Sequence, residues 1–220
     1  MHYAISDIHG NQARWHSVLE QIDLQPEDQL YVLGDVIDRY PDGIEILCEI
    51  MDRPNLRMLK GNHEYMMQQY FASGCAEAYK QLWYYNGGEA THRAFEQCTK
   101  ERQTDILDYI AALPLCIELE VCGKKLLLVH SVPLDPSNPA ICEYASLEEY
   151  AVWHRAAPEE RLSADKLVIF GHTPVFFYDL PLPPTILFLP DKIDIDCGSG
   201  YPFGRLACLR LEDMSEYYSC

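Results

Sequence analysis

Apolar residues in the first part of the chain come in short runs, and each run ends in a cluster of polar residues and glycine. The runs cover residues 3–6, 30–33 and 56–59. Between residues 15 and 22, and again between residues 44 and 51, apolar side chains recur at the spacing of an amphipathic helix. Strands that alternate with helices predict an α/β fold, whose polar clusters collect at the carboxyl ends of the strands.

The middle of the chain has a different pattern. Residues 64–113 contain no strand-like run and are rich in good helix formers, with interruptions at Gly74 and at Gly87-Gly88. Pro114 follows directly. Because proline cannot continue a helix, the pattern predicts a helical segment over residues 64–113 that ends before it.

The second half is predicted to be mostly β. Residues 115–121 and 125–129 flank a short turn and are typical of a hairpin. Stretches 131–140 and 179–191 are rich in proline and aspartate and are predicted to be surface loops. Further strands are predicted at residues 167–170, 185–189, 192–195 and 206–211. With 220 residues and no internal repeat, we expect one domain spanning residues 1–220.

Composition and charge limit the classes of protein and the kinds of partner that fit this chain. The chain is 48% hydrophobic and 23% charged, which is a globular balance and excludes a disordered or low-complexity chain. Its 17 basic and 34 acidic side chains give a formal charge of −17, which argues against nucleic-acid and membrane-surface partners. Nine cysteines without a CxxC motif, and a start without a signal-like apolar run, predict reduced thiols and a cytoplasmic location.

Residues that can bind a metal ion stand directly after five of the predicted strands. In chain order they are Asp7 and His9, Asp35 and Asp38, Asn62 and His63, His130, and His172. Carboxylate, amide and imidazole donors suit Mn²⁺, Fe or Zn²⁺ better than Ca²⁺ or a thiolate site. One such loop would be weak evidence, because polar loop residues often only cap helices. Five together, four of them with a glycine, indicate a metal site.

The order of these motifs resembles the calcineurin-like metallophosphoesterases. Within that superfamily, Arg39 after Asp38 and Glu64 after His63 favour the phosphoprotein phosphatase (PPP) branch, and the chain is most similar to bacterial and phage phosphatases of the lambda type. The resemblance rests on Asp7-x-His9, Gly34-Asp35-x-x-Asp38-Arg39, Gly61-Asn62-His63-Glu64, Val129-His130 and Gly171-His172. It covers nearly the whole chain and includes residues 83–88, 196–200 and Gly204-Arg205-Leu206. It implies a four-layer α/β fold, in which a central β-sandwich is flanked by helices and residues 64–113 are a helical insertion.

The resemblance also implies a cofactor of two divalent metal ions, with Mn²⁺ favoured and Fe or Zn²⁺ as alternatives. The two ions would share Asp35, the first with Asp7 and His9, the second with Asn62, His130 and His172. In this family the metal pair lowers the pKa of a bridging water, and the resulting hydroxide attacks the phosphorus in line. No phosphoenzyme is then expected.

Further roles follow from the same resemblance. His63 matches the general acid that protonates the leaving group, and Asp38 matches the carboxylate that orients its imidazole. Arg39 matches a phosphate-clamping arginine, Arg155 is a second clamp, and Asn62 is expected to contact the phosphate as well. The alternatives are a structural ion pair between His63 and Asp38, a carboxylate-pairing role for Arg39, and a solvated helix end at Arg155.

Two positions depart from the family pattern. Tyr40 stands where a glycine usually follows the Asp-Arg pair, and Ser131-Val132 replaces a pair of small residues after His130. Neither removes a ligand, so both bear on substrate preference rather than on catalysis.

The predicted function is therefore that of a metal-dependent phosphomonoesterase, a serine/threonine protein phosphatase with a possible extension to phosphotyrosine. The alternative is symmetrical hydrolysis of diadenosine tetraphosphate, which a sister branch performs with the same metal core. A phosphodiesterase or nuclease is disfavoured by the negative charge and by Arg39. A non-catalytic scaffold would be expected to lack a ligand, and none is missing. The expected partner is a phosphorylated protein or a small phosphoester.

Overall fold

The computed structural model describes residues 1–178 and 181–220, and within these ranges the chain forms ten β-strands and seven α-helices. The strands are β1 (His2–Ile5), β2 (Gln29–Val32), β3 (Leu56–Met58), β4 (Cys116–Val121), β5 (Lys124–Val129), β6 (Leu167–Phe170), β7 (Leu187–Phe188), β8 (Lys192–Asp194), β9 (Ala207–Arg210) and β10 (Glu216–Tyr218). The helices are α1 (Gln12–Ile22), α2 (Gly43–Asp52), α3 (Asn62–Ala72), α4 (Glu77–Tyr85), α5 (Glu89–Glu96), α6 (Lys100–Ala112) and α7 (Leu147–Trp153).

The strands form two five-stranded sheets. The first has the order β10-β9-β1-β2-β3, and the second has the order β4-β5-β6-β8-β7. Strands β1, β2 and β3 run parallel to one another, as do β5, β6 and β8. The carboxyl ends of each parallel set therefore lie at one edge of its sheet, where open α/β sheets place their sites.

The repeating strand–helix units form because each helix has one apolar face. Trp15, Val18 and Ile22 form the buried stripe of α1, and its first turn is capped by the Asn11 side chain, which accepts the Arg14 N–H at 3.1 Å. These side chains join the core between the helices and the outer face of the first sheet.

A second core fills the space between the two sheets. It contains alternate residues from both, including Ala4, Leu33, Leu128, Ile169 and Leu209, all fully buried. A smaller cluster lies on the opposite face of the second sheet. The predicted α/β class, with a β-sandwich flanked by helices, is confirmed.

The segment predicted as helical over residues 64–113 is confirmed as four helices, α3 to α6, and the predicted breaks at Gly74 and at Gly87-Gly88 lie between them. Its start differs from the prediction. Helix α3 begins at Asn62, so Asn62 and His63 occupy the first helical turn rather than the loop before it.

Other differences lie in the second half. The stretch predicted as a strand over residues 185–189 has only the two-residue β7, and the strand predicted over 206–211 is shortened at both ends. Helix α7 and strand β10 were not predicted, because each is short and is stabilised by distant contacts. Of the predicted loop 179–191, Asp179 and Leu180 lie outside the described residues.

All nine cysteines are free thiols, and only Cys197 and Cys208 are buried. Among the described residues, no helix has both the length and the apolar character needed to cross a bilayer.

Candidate active site

Three predicted ligands from the first sheet meet where β1 and β2 end. The His9 Nε2 atom lies 3.8 Å from a carboxylate oxygen of Asp7 and 3.8 Å from one of Asp35. All three side chains are at least 98% buried. A buried imidazole nitrogen between two carboxylates suits a divalent cation, because buried negative charges are unfavourable unless a positive charge compensates them.

The remaining predicted ligands complete a second group around the same carboxylate. His130 Nε2 lies 3.5 Å from the other oxygen of Asp35. The side-chain oxygen of Asn62 lies 3.0 Å from His130 Nε2 and 2.9 Å from His172 Nδ1. Asp35, His130 and His172 bring one donor atom each within 4.8 Å of one another. The structure thus brings together all six predicted metal ligands, with Asp35 common to both groups.

The hydrogen bonds of the three histidines leave one ring nitrogen of each free to bind a metal. The other nitrogen faces a backbone carbonyl, which can only accept, so it carries the proton. These carbonyls belong to Ile37 for His9 (3.2 Å), to Leu33 for His130 (2.7 Å) and to Trp153 for His172 (3.1 Å). The free nitrogens are the ones that face Asp35 or Asn62, so the donor set fits a pair of divalent ions.

The pKa values separate the three histidines that can bind a metal from His63. Burial lowers the pKa of His9, His130 and His172 below the ordinary histidine value, which keeps them neutral and able to bind a metal. Burial acts on His63 in the same direction, but the Asp35 and Asp38 carboxylates outweigh it and raise its pKa. His63 is therefore the one histidine of the group that is poised to carry a proton.

His63 belongs to a buried hydrogen-bond chain. Its Nδ1 atom donates to Asp38 at 2.6 Å, and Trp83 Nε1 donates to both oxygens of the same carboxylate at 3.1 and 2.9 Å. Thr91 fixes the backbone by accepting the Asp38 N–H at 2.8 Å. The imidazole is thereby held with Nε2 towards Asp35, at 3.8 Å. This arrangement fits an oriented proton donor.

Residues 3–215 match the family model for calcineurin-like phosphoesterases. The chain belongs to this family. The resemblance found in the sequence is thus confirmed, and the protein is a hydrolase that acts on phosphoester bonds.

Relatives of this phosphoesterase carry two kinds of name. Serine/threonine-protein phosphatase 2 of Escherichia coli (strain K12) is 30% identical over 96% of this chain and 92% of its own length. A symmetrical bis(5'-nucleosyl)-tetraphosphatase of Paracidovorax citrulli is 28% identical over 78% of this chain and 57% of its own length. The crystal structure of a proposed diadenosine tetraphosphatase superposes with a TM-score of 0.66 at 16% identity, over 99% of this chain and 91% of that one. This last likeness concerns the fold alone.

The two predicted phosphate clamps of the phosphoesterase lie at the rim of the site. Both arginines are exposed. The Arg39 guanidinium carbon lies 5.1 Å from the ring centre of Tyr201. Arg155 donates from Nη1 to the His172 carbonyl at 3.0 Å and to the Thr173 hydroxyl at 3.1 Å. Arg155 is therefore tied to a ligand loop and is not simply a solvated helix end.

Backbone strain is concentrated at the site. Six predicted site residues other than glycine have φ between 53° and 73°, which is the left-handed region: Asp7, His9, Asp35, Asp38, Arg39 and His172. Each such residue costs about 1–3 kcal/mol and keeps this conformation only where its surroundings enforce it. The strain turns the side chains at the strand ends towards one another.

Glu64 is the group that enforces part of this conformation. Its fully buried carboxylate accepts N–H groups from the loop after β2 and from the start of α3. The donors are Asp35 (2.9 Å), Val36 (2.9 Å), Ile37 (3.4 Å) and Gly61 (3.0 Å). A Cβ at Gly61 would lie 2.2 Å from the Asp35 carboxylate, so this position requires glycine. Glu64 therefore links the two loops that carry Asp35 and Asn62.

The two departures from the family pattern are accommodated by backbone contacts. The Tyr40 N–H donates to the carbonyls of His9 and Asp38, at 3.1 and 2.9 Å. The Ser131 hydroxyl donates to the His154 carbonyl. Both residues thus support the loops that carry site residues.

Three groups that lie around the site have no role assigned from the sequence: Trp83, Thr91 and Asp196. Asp196 follows β8, is 98% buried and accepts the Gly198 N–H at 2.8 Å. Burial first, and then the neighbouring Asp7 carboxylate, raise its pKa well above the ordinary value. A signal for Asp196 was present, because it directly follows a predicted strand. Trp83 begins a segment that shares in the family resemblance, but the segment does not reveal its contact with Asp38. No local pattern marks Thr91.

Replacing Trp83 by phenylalanine is expected to lower kcat about tenfold with little change in the fold. The phenylalanine ring still fills most of the space, but Asp38 loses the one indole N–H that both of its oxygens accept. The measurement is steady-state hydrolysis of para-nitrophenyl phosphate with saturating Mn²⁺. Trp15→Phe is the matched control, because Trp15 is also fully buried and donates to Glu49 at 2.8 Å outside the site. Equal losses in both variants would contradict the prediction.

Replacing Glu64 by glutamine is expected to lower the free energy of unfolding by about 3 kcal/mol, since several buried N–H groups lose a charged acceptor. Thermal or urea unfolding of the metal-free protein measures this. Glu101→Gln is the control, because Glu101 is exposed in the first turn of α6 and its loss removes only a helix-terminal charge. A Glu64→Gln variant as stable as that control would show that the linkage contributes little.

Proposed function

We propose that this phosphoesterase is a metal-dependent phosphomonoesterase that hydrolyses phosphoserine and phosphothreonine in proteins, with phosphotyrosine as a further substrate. The observation that carries the proposal is the buried His63–Asp38 hydrogen bond next to Asp35. This carboxylate belongs to both clusters of potential metal ligands, which are His9, Asp35 and His63, and Asp35, His130 and His172. A general acid next to a paired cation site suits the expulsion of an alkoxide from a phosphate monoester. We also take residues 1–220 to be one catalytic domain.

The residues proposed to hold two divalent metal ions are Asp7, His9 and Asp35 for the first, and Asp35, Asn62, His130 and His172 for the second. Mn²⁺ is favoured and Fe or Zn²⁺ are alternatives, because the donors are oxygen and imidazole nitrogen without sulfur. When bound, the ions supply the Lewis acidity that activates a water for attack and offset the negative charge of the phosphate.

The protein side chains are proposed to bind the phosphate group and to donate a proton to the leaving group. The exposed Arg39 guanidinium would bind two phosphate oxygens and orient the group, since its planar fork matches two acceptors. His63 would give its proton to the leaving oxygen while Asp38 stabilises the imidazolium. Arg155 can contribute a second contact from its exposed position, and the Asn62 amide can bind a phosphate oxygen.

A phosphoprotein is preferred over diadenosine tetraphosphate for two reasons. The Escherichia coli relative named as a protein phosphatase matches across 92% of its own length, whereas the tetraphosphatase of Paracidovorax citrulli matches across 57%. The formal charge of −17 also opposes the approach of a polyanion that carries four phosphates.

The test is to compare three substrates with one enzyme preparation. Chelator-treated protein, with and without added Mn²⁺, is assayed on a phosphoserine peptide, para-nitrophenyl phosphate and diadenosine tetraphosphate. Metal-dependent turnover that is fastest on the peptide supports the proposal. Faster cleavage of the tetraphosphate would assign the protein to the alternative, and silence on all three with metal bound would refute both.

A further inference from the structure

A groove of about 500 Å³ lies between α3, α4 and α7, next to the proposed metal site. One of its walls is Trp153, whose carbonyl accepts a hydrogen bond from His172 at 3.1 Å and whose ring centre lies 6.2 Å from that of His172. Another wall begins at Tyr65, two residues after His63 on α3. The groove therefore borders the site on the side of the second group of ligands.

The lining of the groove is aromatic and acidic. Four rings line it, those of Tyr65, Tyr79, Tyr144 and Trp153, and two carboxylates stand among them, Glu143 and Glu149. The described lining residues include no lysine, arginine or histidine. Rings with negative faces beside unpaired negative charges favour a cation.

Parts of this lining are held in place and parts are open to solvent. The Glu149 carboxylate accepts the Ala145 N–H at 2.7 Å, which fixes its position at the start of α7. The large hydrophobic side chains of Tyr79 and Leu82 remain 42% and 47% exposed. Burial first, and then the carboxylates of Glu149 and Glu148, raise the pKa of the Tyr65 phenol, as a negative local potential would. The groove is thus preformed and electronegative.

We infer that this groove binds the arginine or lysine side chain of a residue that flanks the phosphorylated residue in a peptide substrate. The guanidinium or ammonium group would stack on the aromatic rings and pair with Glu149 and Glu143, while the phosphate occupies the metal site. This inference rests on the proposed function and adds a substrate preference to it.

The alternative ligand of the groove is a nucleobase, since aromatic rings also stack on bases. In diadenosine tetraphosphate the base is attached to a chain of phosphates, which would have to lie along two carboxylates without a basic side chain between them. Like charges this close are unfavourable, whereas a basic peptide side chain gains from the same carboxylates.

The test uses a series of phosphoserine peptides in which a single arginine is moved along the flanking positions, with a peptide of neutral flanks as reference. For the best arginine position we expect kcat/KM to exceed the reference about tenfold, through a cation–π contact and an ion pair. In the double variant Glu143→Gln, Glu149→Gln this preference should fall to within about twofold. Hydrolysis of para-nitrophenyl phosphate, which is too small to reach the groove, should not change.

One control variant and one further test variant make the result specific. Glu159→Gln removes an exposed carboxylate that does not line the groove and should retain the full arginine preference. Tyr79→Ala should weaken the preference through the loss of a ring, again without effect on the small substrate.

The outcomes separate this inference from the function on which it rests. Equal kcat/KM for all peptides, or a preference that survives in the double variant, would overturn the groove assignment and leave the phosphatase proposal intact. No turnover of any peptide, with para-nitrophenyl phosphate still hydrolysed, would overturn both. A loss of diadenosine tetraphosphate cleavage in Tyr79→Ala, with peptide preference unaffected, would assign the groove to a base instead.

Discussion

Replacing Asp35 by asparagine is expected to abolish hydrolysis of every phosphoester substrate, with kcat reduced at least about a thousandfold. Among the described residues, Asp35 is the side chain common to both groups of potential ligands, and its Oδ1 atom also accepts the His63 backbone N–H at 3.0 Å. The amide keeps the shape of the side chain but removes the negative charge that two neighbouring cations require. The measurement is steady-state kinetics with para-nitrophenyl phosphate, together with the number of Mn²⁺ ions bound per chain.

In the metal-free protein, the Asp35→Asn substitution should not lower the thermal stability and can raise it. Burial raises the pKa of Asp35, and the charges of Asp7 and Glu64 act in the same direction. The neighbouring His63 opposes them but does not cancel them, so ionisation of this carboxylate costs free energy without metal. In chelator the Asp35→Asn variant should therefore unfold at the same temperature as the unsubstituted protein or higher. With Mn²⁺ at about 100 times its Kd, only the unsubstituted protein should gain the roughly 2.7 kcal/mol expected from ligand binding.

Asp105→Asn, an exposed change on α6, is the control for both measurements. An equal metal-induced rise in melting temperature for Asp35→Asn and the control would show that Asp35 is not a shared ligand. Retained turnover in Asp35→Asn would contradict the proposed site as a whole.

Replacing His63 by glutamine is expected to slow hydrolysis of a phosphoserine peptide by about 10²- to 10⁴-fold, the usual contribution of a general acid. The effect should depend on the leaving group. A serine alkoxide is strongly basic and needs the proton, whereas para-nitrophenolate departs readily without it. The loss on para-nitrophenyl phosphate should therefore be at least tenfold smaller, at about the level expected from lost hydrogen bonding.

This difference separates an acid from a structural ion pair. Because the metal-binding side chains are unchanged, the His63→Gln variant should still bind Mn²⁺ in the same ratio. Losses of equal size on both substrates, or loss of metal, would mean that the His63–Asp38 pair maintains the geometry of the site and does not transfer a proton.

Much of the fold was predictable because its signals are local. The apolar runs before Asp7, Asp35 and Asn62 correspond to β1, β2 and β3, and glycine or proline marks the limits of the helical segment. Short elements such as α7 and β10 were not predictable in the same way. Strand β10 has three residues and exists because it pairs with β9, and α7 packs on α3, far away in the sequence.

The proposed site residues could also be picked out from the sequence, because carboxylate, amide and imidazole groups directly after five strands are a pattern typical of metal ligands. The hydrogen bonds that orient those residues could not be predicted from the sequence. The free nitrogen of His130 depends on the Leu33 carbonyl, which is 97 positions away. The orientation of Asp38 depends on Trp83, 45 positions away, and neither separation leaves a periodic pattern.

The sequence by itself determined the class of fold, the family and the residue types gathered at the strand ends, because hydrophobic periodicity and ligand chemistry are properties of short segments. Only the tertiary structure decided which imidazole nitrogens face Asp35 and Asn62, which histidine has a raised pKa, and which aromatic and acidic side chains line the neighbouring groove. Hydrogen bonding and charge interaction act over a few ångströms in space, so they depend on which distant segments fold together.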